Sequence, residues 1–521
     1  KSGGRVTGVD YIGADGEPGH ISADVVVNCG GMWGRDLAEA SGVTLPLHAC
    51  EHFYLITEPV QGLGHLPVLR VPDECAYYKS DAGKMMIGAF EPKAKPWGMN
   101  GIREDFMFDT LPEDWDHFQP ILEDAMNRMP LFQTAGIHTF FNGPESFTPD
   151  DRYYLGEAPE LGGYWIAAGY NSVGIAGSGG AGMALAHWIT QGEPPFDLWD
   201  VDINRLYPHQ NTKHFLIPRV SEALGLLYAM HWPFKQYETS RGVRKTALHD
   251  RIAAAGACFG EVAGWERPNW FARPGQEPKY EYTFGKPNWF DNSREECKAV
   301  REAVGLFDQS AFAKFTVKGR DAMKLLNRVS VNEMDVAIGK VVYTQWCNEK
   351  GGIEADLTAT RIAENEYLVV TAAMTQLHDR RHLENAIRED EAVAVVDVTS
   401  GTSTIGLMGP NSRALLQSLT PDDVSNAAFP FGTSSEIEVG PARIRATRIT
   451  YVGELGYELY IPSEFAAAVY DFILANGAAH GLKHAGYHAM NSLRIEKAYR
   501  HWSHDITPED SPLEAGLGFC V

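Results

Sequence analysis

Residues 164–190 read YWIAAGYNSVGIAGSGGAGMALAHWIT, and this stretch decides the fold of the first half of the chain. Tyr164 to Ala168 predicts a strand, Gly169 to Gly182 a glycine-laden turn, and Met183 to Thr190 a helix. Glycines let a ligand approach the backbone closely, and a helix start offers unpaired N–H groups and a partial positive charge. The same succession occurs earlier: Val25-Val26-Val27 predicts a buried strand, NCGGMWG (Asn28 to Gly34) supplies glycines, and WGRDLAEASG predicts a helix. A strand ending in glycines before a helix is how an α/β sheet presents a ligand edge. The glycines do not spell a phosphate grip, because a P-loop needs its Lys-Ser/Thr and a dinucleotide fingerprint an acid about 20 residues on.

Outward from these joints the pattern changes. Residues 66–160 alternate short aromatic strands (AYYKS, KMMIGAF, GIHTFFNGPESFTPDDRYYLG) with one helix, Asp114 to Met129. This predicts a mixed antiparallel sheet against the first domain. A Pro-, Trp- and Tyr-rich strap with a hydrophobic helix at Ser221 to Met230 follows, and WERPNWF and GKPNWFDNS read as aromatic packing. From about residue 295 short helices and strands alternate, predicting an α+β domain with mainly antiparallel sheets. The expected division is 1–192, a connector 193–250, and 251–521.

A chain of 521 residues exceeds the size of one growing core, so two or three domains are expected. Its 44% hydrophobic and 22% charged residues suit a globular protein, and no stretch has the roughly 18 apolar residues of a membrane span. A net charge of −23 would repel a phosphate backbone, which excludes nucleic acid as a partner. The seven cysteines are scattered with no CxxC pair, as expected of reduced thiols in the cytoplasm or, in a eukaryote, the mitochondrial matrix. Lys1 is not an initiator methionine, and both ends read as the middle of a domain, so segments are expected on either side.

In order along the chain, WITQGEPPFDL, GWERPNWF, LFDQSAFAKFTVKG, YVGELGYELYIP, SLRIEKAYRHW and SPLEAGL resemble the sarcosine and dimethylglycine dehydrogenase family. The fold this implies is α/β plus α+β: part of an FAD-binding amine-oxidase module, then an aminomethyltransferase-like domain that binds tetrahydrofolate. The activity it implies is hydride transfer from an N-methyl amino acid to FAD. The resulting iminium carbon then passes to tetrahydrofolate or hydrolyses to formaldehyde. The implied partners are a small N-methylated amine and an electron acceptor, either an electron-transfer flavoprotein or oxygen. The family's opening GxGxxG turn and its flavin-carrying histidine have no counterpart in this sequence. Both are expected upstream of Lys1, and without them the chain is expected to hold FAD poorly.

The resemblance also assigns residues. Gly30, Gly31 and Trp33, with Gly169, Tyr170, Asn171, Ser172, Gly174 and Ile175, match the flavin-lining turns. His52 and Tyr54 match polar groups near the substrate, where they would orient the amine and keep it neutral. Asp356 matches the carboxylate beside the reacting nitrogens of folate, where it would steer or accept a proton. Tyr343, Tyr451, Glu458 and Arg494 match the pterin site, as aromatic faces, a carboxylate for its donors and a guanidinium. Glu454 matches less well. His480, His484 and His488 have a helix-face metal spacing, but Gly481 and Gly486 interrupt it and no acid or cysteine completes the set. HWSHD (His501 to Asp505) reads as packing beside the folate pocket. Competing readings are a folate-dependent transferase with a vestigial flavin module, and a non-enzymatic regulatory paralogue.

Overall fold

The computed structural model describes residues 1–98, 100–103 and 105–521. It divides into two compact units, Lys1–Ser240 and Arg241–Val521.

In the first unit, strands Tyr154–Glu157, Tyr164–Ala168 and Val26–Asn28 form a three-stranded sheet in that order. The last two run parallel, with Tyr164 opposite Val26 and Ile166 opposite Asn28. Their C-terminal ends therefore lie side by side and deliver both glycine-rich joints to one edge. Two expectations need correction. Val26 packs on the core, but Val25 and Val27 are 36% and 40% exposed, because this edge strand alternates its faces instead of being covered on both. The long helix spans Gly174–Gln191 and so begins within the glycines, not at Met183. Each glycine costs about 1 kcal/mol of helix propensity relative to alanine. The packing of Ala181, Ala184 and Leu185 overrides that cost, Ala181 and Leu185 sitting in one buried cluster with Leu155 and Trp165. The true turn is Gly169 to Val173, where Asn171 and Ser172 are left-handed, with φ of 49° and 68°.

Strand His48–Thr57 organises a larger sheet, pairing antiparallel with Lys84–Ala89 and with Ile137–Phe147. One sheet face carries Phe53, Leu55, Tyr78 and Ile87 against Phe118 and Ile121 of helix Trp115–Arg128. That helix falls where its pattern predicted it, with the Asp114 carboxylate accepting the His117 N–H at 3.1 Å. The strap helix is Lys213–Leu226 and not Ser221–Met230. Thr212 caps it, and Pro218, which reads as a breaker, is accommodated inside it.

The second unit holds a two-stranded sheet, Ala257–Val262 with Trp265–Phe271, and two larger ones. A six-stranded sheet runs Ser434–Val439, Ala442–Thr447, Gly456–Pro462, Thr402–Met408, Val304–Asp308, Leu482–His484, antiparallel except for its last pair. A five-stranded antiparallel sheet runs Val341–Cys347, Ile353–Ala363, Glu366–Thr371, Ala313–Lys318, Ala394–Asp397. Each buries its own aliphatic core. His480, His484 and His488 lie on a 3₁₀ turn, a strand and a helix, so they share no helix face. His484 and His488 pair instead with the hydroxyls of Tyr470 and Tyr280, both at 2.8 Å. Among the described residues, no helix is long and apolar enough to cross a membrane.

Candidate functional site

The first unit presents an aromatic floor on the sheet face opposite its core. Successive side chains of a strand alternate faces, so His52 and Tyr54 share the side that Phe53 and Leu55 leave free. The register then places Gly88 beside Tyr54 and Tyr77, and Gly143 beside His52. These glycines are where rings lie: a Cβ on Gly88 would stand 1.9 Å from the Tyr77 ring, and one on Gly143 2.4 Å from that of Phe141. Tyr54 stacks on Phe141 at 4.7 Å, Phe90 stacks on Tyr228 at 4.5 Å, and the Arg70 guanidinium covers Tyr228 at 4.1 Å.

Polar groups are set into this floor. His52 is buried, its Nδ1 lies 3.2 Å from Glu91, and its ring meets the edge of Phe90 at 5.0 Å. Burial works against a charged His52, but the Glu91 hydrogen bond and the charges of Glu91 and Glu145 outweigh it and raise the pKa. Burial, with Glu145 and Glu91 nearby, pushes the Tyr77 phenol up to about 12. His52 Nε2, Glu91 Oε1 and Glu145 Oε2 are buried without a hydrogen-bond partner among the described residues. An apolar, electron-rich floor holding unsatisfied carboxylate oxygens suits an ammonium group.

At the paired strand ends, helix Gly174–Gln191 starts without a side-chain cap, leaving N–H groups open. Trp33, Val173 and Ile175 stand 37%, 51% and 98% exposed, and nothing lies within 4 Å of a Cβ placed on Gly31. The other turn residues serve the protein itself. Asn171 bonds Thr148 and the Gly169 carbonyl, Tyr170 stacks on Tyr153 at 4.8 Å, and a Gly169 Cβ would strike Thr148 at 2.5 Å. Gly30 packs on Leu37, and Ser172 is exposed with a left-handed backbone.

In the second unit Gln345 lies directly across from Asp356, and its Nε2 donates to the carboxylate at 2.8 Å. Tyr343, two residues before Gln345, points to the same sheet face, also hydrogen-bonds Asp356, and stacks on Phe519 at 6.1 Å. Burial pushes the Asp356 carboxyl up to about 6 against the pull of these hydrogen bonds. Tyr451 feels the charges of both Arg494 and Asp356, and its hydroxyl donates to the Arg500 carbonyl at 2.6 Å. Arg494 is buried and paired with Asp505. Tyr343, Asp356, Tyr451 and Arg494 thus form one group. Glu458 belongs to another network, where Gln309 donates to it at 3.2 Å, Tyr460 bonds it and Lys314 faces it; burial raises its pKa. Glu454 is held by Arg301 at 2.9 Å.

Sequence reasoning missed Tyr77 and Glu145, which strand pairing brings in, and Glu91 and Tyr228, which come from a loop after strand Lys84–Ala89 and the turn after helix Lys213–Leu226. Gln345 and Gln309 were also missed, although the two-residue spacing from Tyr343 to Gln345 marks one strand face.

Comparison with known proteins adds three matches to domain families. Residues 248–521, more than half of the chain, match the GCVT N-terminal domain. Residues 1–188 match the FAD dependent oxidoreductase family and 191–246 the FAD dependent oxidoreductase central domain. The chain is 44% identical to 4-methylaminobutanoate oxidase (formaldehyde-forming) of Paenarthrobacter nicotinovorans, over 98% of this chain and 62% of that protein. It is 36% identical to mitochondrial sarcosine dehydrogenase of Homo sapiens, over 99% of this chain and 60% of the relative. It is also 36% identical to the mitochondrial pyruvate dehydrogenase phosphatase regulatory subunit of Mus musculus, over 98% and 59%. The chain therefore spans about three fifths of the length of these relatives.

Proposed function

The chain belongs to the family of the GCVT N-terminal domain, joined here to an FAD dependent oxidoreductase fold, and from that premise we propose that it demethylates an N-methyl amino acid oxidatively and passes the one-carbon unit to tetrahydrofolate. The proposed division of labour is an oxidoreductase portion at 1–192, a connector at 193–250 and a folate domain at 251–521.

One observation carries the reading: the aromatic floor of Tyr54, Tyr77, Phe90, Phe141 and Tyr228 surrounds His52 and the carboxylates of Glu91 and Glu145. The carboxylates and ring faces attract the protonated amine. His52, joined to Glu91, takes the ammonium proton and leaves the neutral amine, whose lone pair promotes loss of hydride. Arg70 is exposed over Tyr228 and meets the carboxylate of the amino acid.

The residues fit both cofactors. For FAD, an uncapped helix start beside exposed Trp33, Val173 and Ile175 supplies donors and apolar cover. When bound, FAD accepts the hydride. For the reduced pterin, Gln345 Oε1 and Gln309 Oε1 are buried acceptors with no partner in the protein. Asp356, held by Gln345, receives the proton given up when the folate nitrogen is alkylated, and Tyr343 and Tyr451 supply ring faces.

Adding sarcosine, dimethylglycine or 4-methylaminobutanoate anaerobically to the flavin-loaded protein should bleach the flavin absorbance, and the ranking of the three identifies the substrate. His52→Ala should slow bleaching about 100-fold or more. Resemblance to a phosphatase regulatory subunit favours a second, non-catalytic reading. Loaded wild-type protein that no N-methyl amino acid bleaches would support that reading against ours.

A further inference from the structure

The second unit contains a cation with no ion pair among the described residues. Arg267 lies on strand Trp265–Phe271 with its guanidinium 4.3 Å over the Tyr487 ring, and its Nε is buried without a hydrogen-bond partner. Among the described residues no carboxylate pairs with it. In the same unit Arg241 pairs with Glu266, Arg301 with Glu454 and Glu496, and Arg494 with Asp505, whereas Arg448, whose Nε also lacks a partner, donates to the Phe429 carbonyl at 2.8 Å. Glu266, the neighbour of Arg267 on the strand, points to the opposite face and is taken by Arg241.

Arg267 is partly buried with its Nε shut off from water, and a partly desolvated guanidinium without a counter-charge is costly, a cost that one aromatic face offsets only in part. Two imidazoles and a second guanidinium, Arg494, share its surroundings. His501 and His504 stack edge to face at 4.3 Å, and both feel Arg267 and Arg494. Burial and these charges push His501 down to about 3, so the ring stays neutral and can donate one N–H. Among the described residues the only acid acting on these rings is Asp505, which Arg494 already holds.

We propose that Arg267, with Tyr487 and the His501/His504 pair, forms a carboxylate-binding subsite that anchors the anionic end of a ligand of the folate domain. A carboxylate takes two parallel N–H bonds from a guanidinium fork, the geometry a vacant planar cation offers. Two carboxylates qualify: the glutamyl tail of a reduced folate, and the carboxylate of the amino acid whose methyl carbon is transferred. Only the choice between them rests on the function proposed above.

Binding to the whole protein, followed by titration calorimetry, tests this with 5-formyltetrahydrofolate, 6-methyltetrahydropterin (which lacks the tail), p-aminobenzoylglutamate and sarcosine. Arg267→Gln should weaken 5-formyltetrahydrofolate by about tenfold or more and leave the tail-less pterin within about twofold. Arg267→Lys should recover part of the loss. Competition by p-aminobenzoylglutamate in wild type, lost in Arg267→Gln, assigns the glutamyl tail. Competition by sarcosine alone, lost in the same variant, assigns the amino-acid carboxylate. A second readout needs no ligand: freed of an uncompensated charge, ligand-free Arg267→Gln should melt above wild type, and saturating carboxylate should reverse that order. Equal affinity of wild type and Arg267→Gln for every carboxylate overturns the proposal, as does an equal loss for the tail-less pterin. Wild type that binds sarcosine through Arg267 but no folate at all would contradict the folate reading and leave the subsite standing.

Discussion

Asp356 and His52 carry opposite electrostatic signatures, and each makes a prediction. The Asp356 carboxyl is raised from 3.8 to about 6, so the folded protein holds its proton more tightly than the unfolded chain. Its stabilising contribution is therefore full at acidic pH and is lost as pH rises through about 6. Asp356→Asn removes the charged form and should stabilise the protein by about 2–3 kcal/mol near pH 8, with no gain near pH 4. Thermal melts at the two pH values check this. His52 is raised for the opposite reason, a charged form held by Glu91 and Glu145. Its stabilisation is present below the ordinary value of 6.5 and disappears as pH climbs through the raised value. Glu91→Gln should lower stability on the acid side only, and should move the pH midpoint of amine-driven flavin bleaching downward. Stopped-flow bleaching across pH reads that shift. The sequence singles out His52, Tyr54 and Asp356 only through the family resemblance, and their roles are part of the proposal. Glu91 was not legible in it, because it acquires a role only when its loop brings it beside His52, 39 residues away in the chain.

Elements were legible wherever periodicity and caps agreed. Helix Trp115–Arg128 has both its apolar face and its Asp114 cap in the sequence. The start of helix Gly174–Gln191 was misplaced because propensity disfavours glycine, whereas tertiary packing of its later turns decides. Strand Val26–Asn28 looked buried because three valines in a row suit a central strand, yet it lies at an edge of its sheet. Pairing register was not legible at all, and it builds the aromatic floor. Gly88 shows what register does: it leaves room for the Tyr77 ring across the strand pair. Gly88→Ala should push that ring out and cost about 1–3 kcal/mol. Adding Tyr77→Ala should restore much of the stability but not the affinity for the amine. Melting temperature and KM, measured on the single and double variants, separate packing from recognition.

At the scale of the whole molecule, the function proposed here assigns the two units different chemistry, applied to one carbon atom in turn. The acidic chain, at −23, deters nucleic acid, yet each unit contains local cations, Arg70 in the first and Arg267 and Arg494 in the second, suited to small carboxylates. The presence of two kinds of domain was legible from length and motif order. The division of polar groups inside the second unit was not: the resemblance assigns Glu458 to one site with Asp356, whereas Glu458 joins Gln309, Tyr460 and Lys314. The most direct test of the account follows the methyl carbon. Flavin-loaded protein is given one equivalent of methyl-labelled N-methyl amino acid with tetrahydrofolate present, and the labelled products are counted. The account predicts methylene-tetrahydrofolate from wild type, and free formaldehyde from Asp356→Asn at an unchanged rate of amine oxidation. Equal formaldehyde from both proteins, or labelled amine left unoxidised by wild type, would contradict it.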